Sequence, residues 1–182
     1  MGEVTELLQR ARAGEPEAWD QVVALIYDDL KRIARGVLGG QGSATLNPTA
    51  LVHDCYLRLS RAGAEGVVNR EHFLSLAARA MRQLLLNHAR DRVAAKRGGG
   101  IDQSVLSGED LEADNEAEHL VALDTALTQL AAVDERLARV VECRVFAGMS
   151  EEETAASIGI SLRSTQRLYA DARAQLAVLL AG

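Results

Sequence analysis

His53, Asp54 and Cys55 stand side by side, and these are the three side-chain types of a thiol-nucleophile site. Consecutive residues on a helix point about 100° apart, so the three cannot converge as nucleophile, base and orienting acid. His72 and His88 are sixteen residues apart, with no HExxH pattern and no carboxylate at ligand spacing, so no metal centre is expected. Cys55 and Cys143 are distant in sequence and lack CxxC spacing, which points away from a disulfide framework or zinc finger and toward a reducing interior. No catalytic residue, metal or cofactor is expected.

The chemistry that the sequence does offer is recognition of phosphates and base edges. In "SEEETAASIGISLRSTQRLYADAR" the outward residues of the second predicted helix are Arg163, Ser164, Gln166, Arg167 and Arg173. Arginine pairs with guanine O6 and N7, glutamine with adenine N6 and N7, and serine with bases or phosphates. The same residues also suit the solvated face of an ordinary helical hairpin. A second cluster lies at residues 79 to 97, where Arg79, Arg82, Arg90, Arg92, Lys96 and Arg97 face Asp91 alone. Such a run can follow a phosphate backbone, although a cationic helix C-terminus is also favoured by the helix dipole without any ligand.

Helices must position these groups. The chain has 182 residues, only two prolines and no Asn-Gly or Asp-Gly turn, and alternating β-branched runs are missing. Apolar spacing predicts helices from about Val4 to Ala13, Pro16 to Leu38, Pro48 to Arg61 and Arg70 to Lys96 in a first half. It predicts Leu120 to Ala132, Asp134 to Ala147, Glu151 to Ile158 and Leu162 to Leu180 in a second. Trp19, Tyr56 and Phe73 fall on apolar stripes and are expected in the core rather than stacked on bases. Gly148 suits a left-handed C-cap, Ser150 with Glu153 a capping box, and Gly159 and Ser161 a tight turn. Together they predict a helix-turn-helix, in which Ala155, Ile158, Ile160, Leu162, Thr165 and Leu168 pack the two helices together.

The net charge of −6 is unevenly spread. Residues 1–97 hold 14 Lys+Arg against 11 Asp+Glu, residues 98–118 hold 7 carboxylates and no Lys or Arg, and residues 119–182 hold 6 against 8. The middle segment, "GGGIDQSVLSGEDLEADNEAEH" with its flanks, reads as a flexible, self-repelling linker. The expected architecture is therefore all-α: two small helical domains, residues 1–97 and 119–182, joined by that acidic linker. No stretch approaches a membrane span or the apolar core of a signal peptide, so a cytoplasmic protein is expected.

This pattern resembles the extracytoplasmic-function group of bacterial sigma factors over nearly the whole chain. "FAGMSEEETAASIGIS" stands where the family has F-x-G-x-S-x-x-E-I-A-x-x-x-G-I-S, inside a sigma-4-like domain. "TALVHDCYLRLSR" resembles the core-binding helix of the sigma-2 domain, and "FLSLAARAMRQLLLNHARDRVAAKRGGG" its promoter-opening helix. The resemblance implies promoter recognition without catalysis, with core RNA polymerase and promoter DNA as partners. The sigma-2 domain would grip the β′ clamp helices and hold the melted minus-10 element; the sigma-4 domain would sit on the β flap and read minus-35. It places the polymerase contact on Leu51, Asp54, Leu57, Arg58 and Arg61, and the capture of an extruded minus-10 base in the loop "RAGAEGVVNRE".

The chain departs from that pattern at one place. Family members carry an acidic cluster of the D-A-E-D type before the core-binding helix, whereas Asn47, Pro48, Thr49 and Ala50 stand here. Phosphorylation of Thr49 by a Ser/Thr kinase would return about −1.5 to −2 charges at a helix N-terminus that suits phosphate. The plainer alternative is that Thr49 merely starts the helix. An anti-sigma factor is another candidate controller. A regulator that dimerises on operator DNA without polymerase is the rival reading of the whole chain.

Overall fold

The computed structural model describes residues 2–38, 47–63, 66–98 and 108–182, and every regular element among them is helical. The first half contains α1 (Glu3–Arg12), α2 (Pro16–Leu25), α3 (Tyr27–Val37), α4 (Pro48–Ala62) and α5 (Arg70–Gly98). The single helix expected from Pro16 to Leu38 is broken at Ile26, whose φ of −107° and ψ of 11° leave the helical well. Ile26 remains on the buried stripe with Val22, Leu30 and Ile33, so the apolar period runs through the break without registering it. Asp28 and Asp29 then open α3 where the helix dipole favours carboxylates.

Leu8, Val22, Ile26, Ile33, Leu51, Phe73 and Met81 are almost wholly buried and form the centre of this bundle. Trp19 meets Phe73 edge to face with centroids 5.4 Å apart, and Tyr56 is half-buried with its hydroxyl donating to Asp20 at 2.6 Å. The aromatics are thus structural, as their spacing suggests.

The second half contains α6 (Gly108–Val133), α7 (Glu135–Val141) continuing through a π-helical turn over Glu142–Phe146, α8 (Glu151–Ile158) and α9 (Leu162–Ala181). α6 starts twelve residues earlier than expected, so residues 108–118 are helix rather than linker. The carboxylates there would repel one another in isolation, but Asp114 and Glu118 face Arg92 and Lys96 of α5. The remaining part of the expected linker, 99–107, lies outside the described residues.

The punctuation around the helix-turn-helix follows the sequence closely. Gly148 and Gly159 have φ of +62° and +72°, a region that costs side-chain-bearing residues about 1–2 kcal/mol. Ser150 and Glu153 complete a reciprocal capping box, and Ser161 accepts from the backbone N–H of Ser164. Thr154 and Thr165 lock the α8/α9 junction, both fully buried and each donating its hydroxyl to the carbonyl four residues back. Leu162, expected in that junction, is 39% exposed instead, at the first position of α9.

The two halves pack on one another. α5 lies against α6, the π-helical turn and α8, and one continuous apolar cluster runs from Phe73 and Met81 to Leu130, Val140 and Phe146.

Candidate nucleic-acid interface

α9 carries the first candidate surface. Arg163, Gln166 and Arg167 are exposed on one face at i, i+3, i+4 spacing, and Ser164 is half-buried beside the N-cap, accepting from the Ser161 hydroxyl at 2.9 Å. Gln166 donates its side-chain amide to Glu151 of α8 at 2.7 Å, which holds it against the preceding helix. Arg173, two turns further on, stacks over Tyr169 at 5.8 Å, and Arg144 approaches the same ring at 5.4 Å. Of the five residues predicted from the sequence, Arg163, Gln166, Arg167 and Arg173 lie toward one side of α9, whereas Ser164 sits half a revolution from Arg173; Arg163 and Arg167 are the most available to a ligand.

The basic run on α5 is less uniform than its sequence. Arg79 and Arg97 are exposed. Arg82 is buried, donating to Asp124 of α6 at 2.6 Å and to Glu142 of the π-helical turn at 2.7 Å, with its guanidinium 5.8 Å from the Phe146 ring. Arg90 reaches the other oxygen of Asp124 at 3.1 Å, Arg92 pairs with Asp114, and Lys96 with Glu118 at 2.9 Å. The Lys96 hydrogen bond holds the Glu118 carboxyl below its usual range. Four of the six cations thus already have carboxylate partners on the second half of the chain. Asp124 and Glu142 are missed by sequence reasoning, yet one signal existed. Arg82 falls on the stripe of Ala78, Met81, Leu86 and Ala89, and an arginine on a buried stripe requires a buried counter-charge.

On α4, Asp54, Arg58 and Arg61 are exposed and Leu57 keeps 38% of its surface. Leu51, grouped with them in the sequence, is fully buried and fastens α4 to the bundle instead. At the N-terminus of α4, Asn47 accepts from the backbone N–H of Ala50 at 2.9 Å, and the first turn contains no acid. Thr49 is exposed, and Lys31 of α3 donates to its hydroxyl at 2.7 Å.

Between α4 and α5, Ala64 and Glu65 of the loop lie outside the described residues. Val67 is buried and Val68 is 65% exposed. Asn69 caps α5 by accepting from the N–H of His72, whose Nδ1 accepts in turn from the N–H of Val68 at 3.2 Å. Burial, then the nearby Arg139 and Arg12, lower the His72 pKa and favour the neutral ring that this acceptor role needs. Burial also pushes the Cys55 thiol up to about 12 and raises that of Cys143, which disfavours the thiolate form in both. His53 and Asp54 are exposed while Cys55 points inward, so the three do not converge.

The profile of the family described as "ECF sigma factor" matches residues 1–181, and the chain belongs to that family. Its role is accordingly that of an alternative sigma factor in transcription initiation. Among solved structures, "Structure of CnrH in complex with the cytosolic domain of CnrY" is similar at 21% identity, with 98% of this chain and 97% of that chain covered and a TM-score of 0.46. No curated protein sequence matches the chain. Among the described residues no helix is long and apolar enough to cross a membrane.

Proposed function

We propose that this sigma factor binds core RNA polymerase and directs it to promoters by reading a minus-35 element with α9 and holding a melted minus-10 element with α5 and the loop before it. The observation that carries this reading is the exposed Arg163, Gln166 and Arg167 face, mounted on a helix-turn-helix whose turn is fixed by Gly159 and Ser161. Base-edge recognition needs a few donors held in register, and a capped, tightly joined helix pair supplies that rigidity. Asp54, Leu57, Arg58 and Arg61 form the surface offered to the β′ clamp helices. An open groove of about 450 Å³ at the far end of α6 and α9, lined by Leu130, Val133, Val178 and Leu179, is apolar and suits the β flap. The operator-binding rival is disfavoured by family membership.

Thr49 is the proposed point of control by a Ser/Thr kinase. Its exposure makes it accessible, and with no acid in the first turn, Pro48 lacking an N–H and Asn47 capping Ala50, the N-terminal end of α4 offers an incoming phosphate the positive end of the helix dipole and the Thr49 backbone N–H. Lys31, already on the Thr49 hydroxyl, would hold one phosphate oxygen while the others face outward. Core-polymerase affinity of wild type, Thr49→Ala, Thr49→Glu and kinase-treated protein tests the switch, and equal affinities refute it. An anti-sigma factor is the other proposed controller, and co-purification with a partner protein at one-to-one ratio is its signature.

Promoter reading is tested by run-off transcription with saturating core polymerase. Arg163→Ala and Arg167→Ala should each lose about 1–3 kcal/mol of promoter discrimination, confined to substitutions in the minus-35 element. Equal losses on all templates would mean that α9 contacts only phosphates.

A further inference from the structure

A polar cavity between α5 and α7 is lined by groups to which promoter reading gives no task, Arg79 excepted. His72, Ser75 and Arg79 recur at three- to four-residue spacing along one face of α5 and share a space of about 240 Å³ with Glu135 and Arg139 of α7. Glu142 of the π-helical turn belongs to the same lining, and such turns are found frequently at functional sites. We propose that this cavity is a binding site for one phosphate group, free or carried on a small metabolite, held between Arg79 and Arg139 with the His72 ring as a third donor.

The lining holds cations without counter-ions. Neither Arg79 nor Arg139 makes an ion pair or a side-chain hydrogen bond among the described residues. Arg139 follows Glu135 by four residues, a spacing at which opposite charges on a helix ordinarily pair, yet no ion pair forms. Its guanidinium acts on the groups around the cavity instead. After burial it is the next cause that lowers the His72 pKa, Arg12 of α1 adds in the same sense, and no carboxylate pulls the other way. Of the two acids in the lining, Glu142 already accepts from Arg82 at 2.7 Å and Glu135 is exposed. The cavity is therefore electropositive, and a recess of one sign concentrates ions of the other.

The donors select phosphate among anions. His72 Nδ1 accepts from the N–H of Val68 at 3.2 Å, so the neutral ring carries its proton on Nε2, which has no acceptor among the described residues. The Ser75 hydroxyl donates to the His72 carbonyl at 3.0 Å and leaves its lone pairs toward the ring's own turn, so it serves the helix rather than an anion. Two guanidinium forks and an imidazole N–H, arriving from two helices, match the several oxygens of a phosphate; a lone carboxylate has two oxygens, which a single arginine can saturate. The volume equals the liquid share of about eight water molecules and lies below the ~300 Å³ at which sites for drug-sized ligands begin. A phosphate on a short carbon chain is of that size.

The test titrates the full chain with inorganic phosphate, glycerol 3-phosphate, succinate and sodium chloride at matched ionic strength. Calorimetry gives affinity and stoichiometry, and proton NMR of the imidazole C–H signals reports the site, the His72 signal being the one absent from His72→Gln. The expected result is saturable one-to-one binding of phosphate or glycerol 3-phosphate with a shift of the His72 signal, weaker binding of succinate, and no shift with chloride. Arg79→Gln and Arg139→Gln should each weaken binding about ten-fold or more, the loss of one hydrogen bond to a charged group. Arg35→Gln, an exposed arginine of α3 outside the cavity, should leave it unchanged. Circular dichroism confirms that every variant keeps its helix content. Tighter binding of glycerol 3-phosphate than of phosphate assigns the site to a metabolite, and equal affinities assign it to free phosphate. The proposal is overturned if succinate or chloride does as well as phosphate, if the His72 signal stays still at saturation, or if both arginine variants bind like wild type. Stoichiometric displacement of phosphate by a short DNA duplex would also overturn it, since the cavity would then belong to the nucleic-acid backbone.

Discussion

Two leucines six residues apart on α4 allow the packing of the bundle and its offer to polymerase to be separated. Leu51 is fully buried, so Leu51→Ala leaves a cavity in the first bundle and should cost about 2–5 kcal/mol, a large part of the ~5–15 kcal/mol that typically holds a domain folded. Leu57 keeps 38% of its surface, so its truncation should lower stability less than that of Leu51, by about 0.9–1.9 kcal/mol for the part already buried. If the clamp helices cover that remainder, the contact is worth 38% of the ~1.5–3 kcal/mol for burying a whole leucine, about 0.6–1.1 kcal/mol. That corresponds to a three- to six-fold weaker Kd, roughly, for Leu57→Ala. Urea denaturation followed by circular dichroism gives the first quantity, and anisotropy of labelled protein titrated with core polymerase gives the second. The reasoning fails if Leu57→Ala binds core as tightly as wild type, or if Leu51→Ala unfolds at the wild-type midpoint.

Ser150→Ala removes one side of the α8 capping box and should lower stability by about 1 kcal/mol, read as a lower midpoint in the same denaturation experiment. Cys55 and Cys143 should resist iodoacetamide at pH 8 in the native protein and react fully in denaturant, checked by mass spectrometry; native labelling of Cys55 would contradict its burial. His72 is the group to watch on acidification. Its folded pKa is depressed below the ordinary 6.5, so the unfolded chain binds the proton first. The stability that depends on neutral His72 is therefore complete above that value and declines as pH falls through it toward the lower folded value. A thermal-melt series from pH 7.5 to 5 should show the decline, and His72→Gln, which can still accept from Val68, should lessen it.

Much of this molecule is legible in its sequence, because the signals are local. The capping box, the two left-handed glycines and the spacing of Arg163, Gln166 and Arg167 are decided within a few residues of one another, and all appear where the sequence puts them. The break at Ile26 is invisible because no glycine or proline marks it and the buried stripe continues across it. The extent of α6 is hidden for a different reason. A run of carboxylates reads as a solvated spacer until the cations that neutralise it are known, and those lie on another helix at Arg92 and Lys96. Leu51 and Leu57 illustrate the same limit on a smaller scale, since both are apolar residues of one helix and only the neighbouring helices decide which is buried. The arginine at position 82 could be suspected from its stripe, but its partners Asp124 and Glu142 are 42 and 60 residues away.

The central claim is that promoter recognition belongs to the complex with core polymerase and not to the free chain. Run-off transcription on the DNA upstream of this protein's own coding region, with and without core polymerase, measures it directly, alongside duplex binding by the protein alone. The account predicts a discrete transcript that requires both components, and only weak, sequence-indifferent duplex binding by the free protein. Tight, two-fold symmetric binding of the free protein to that DNA, with no transcript on adding core, would contradict it.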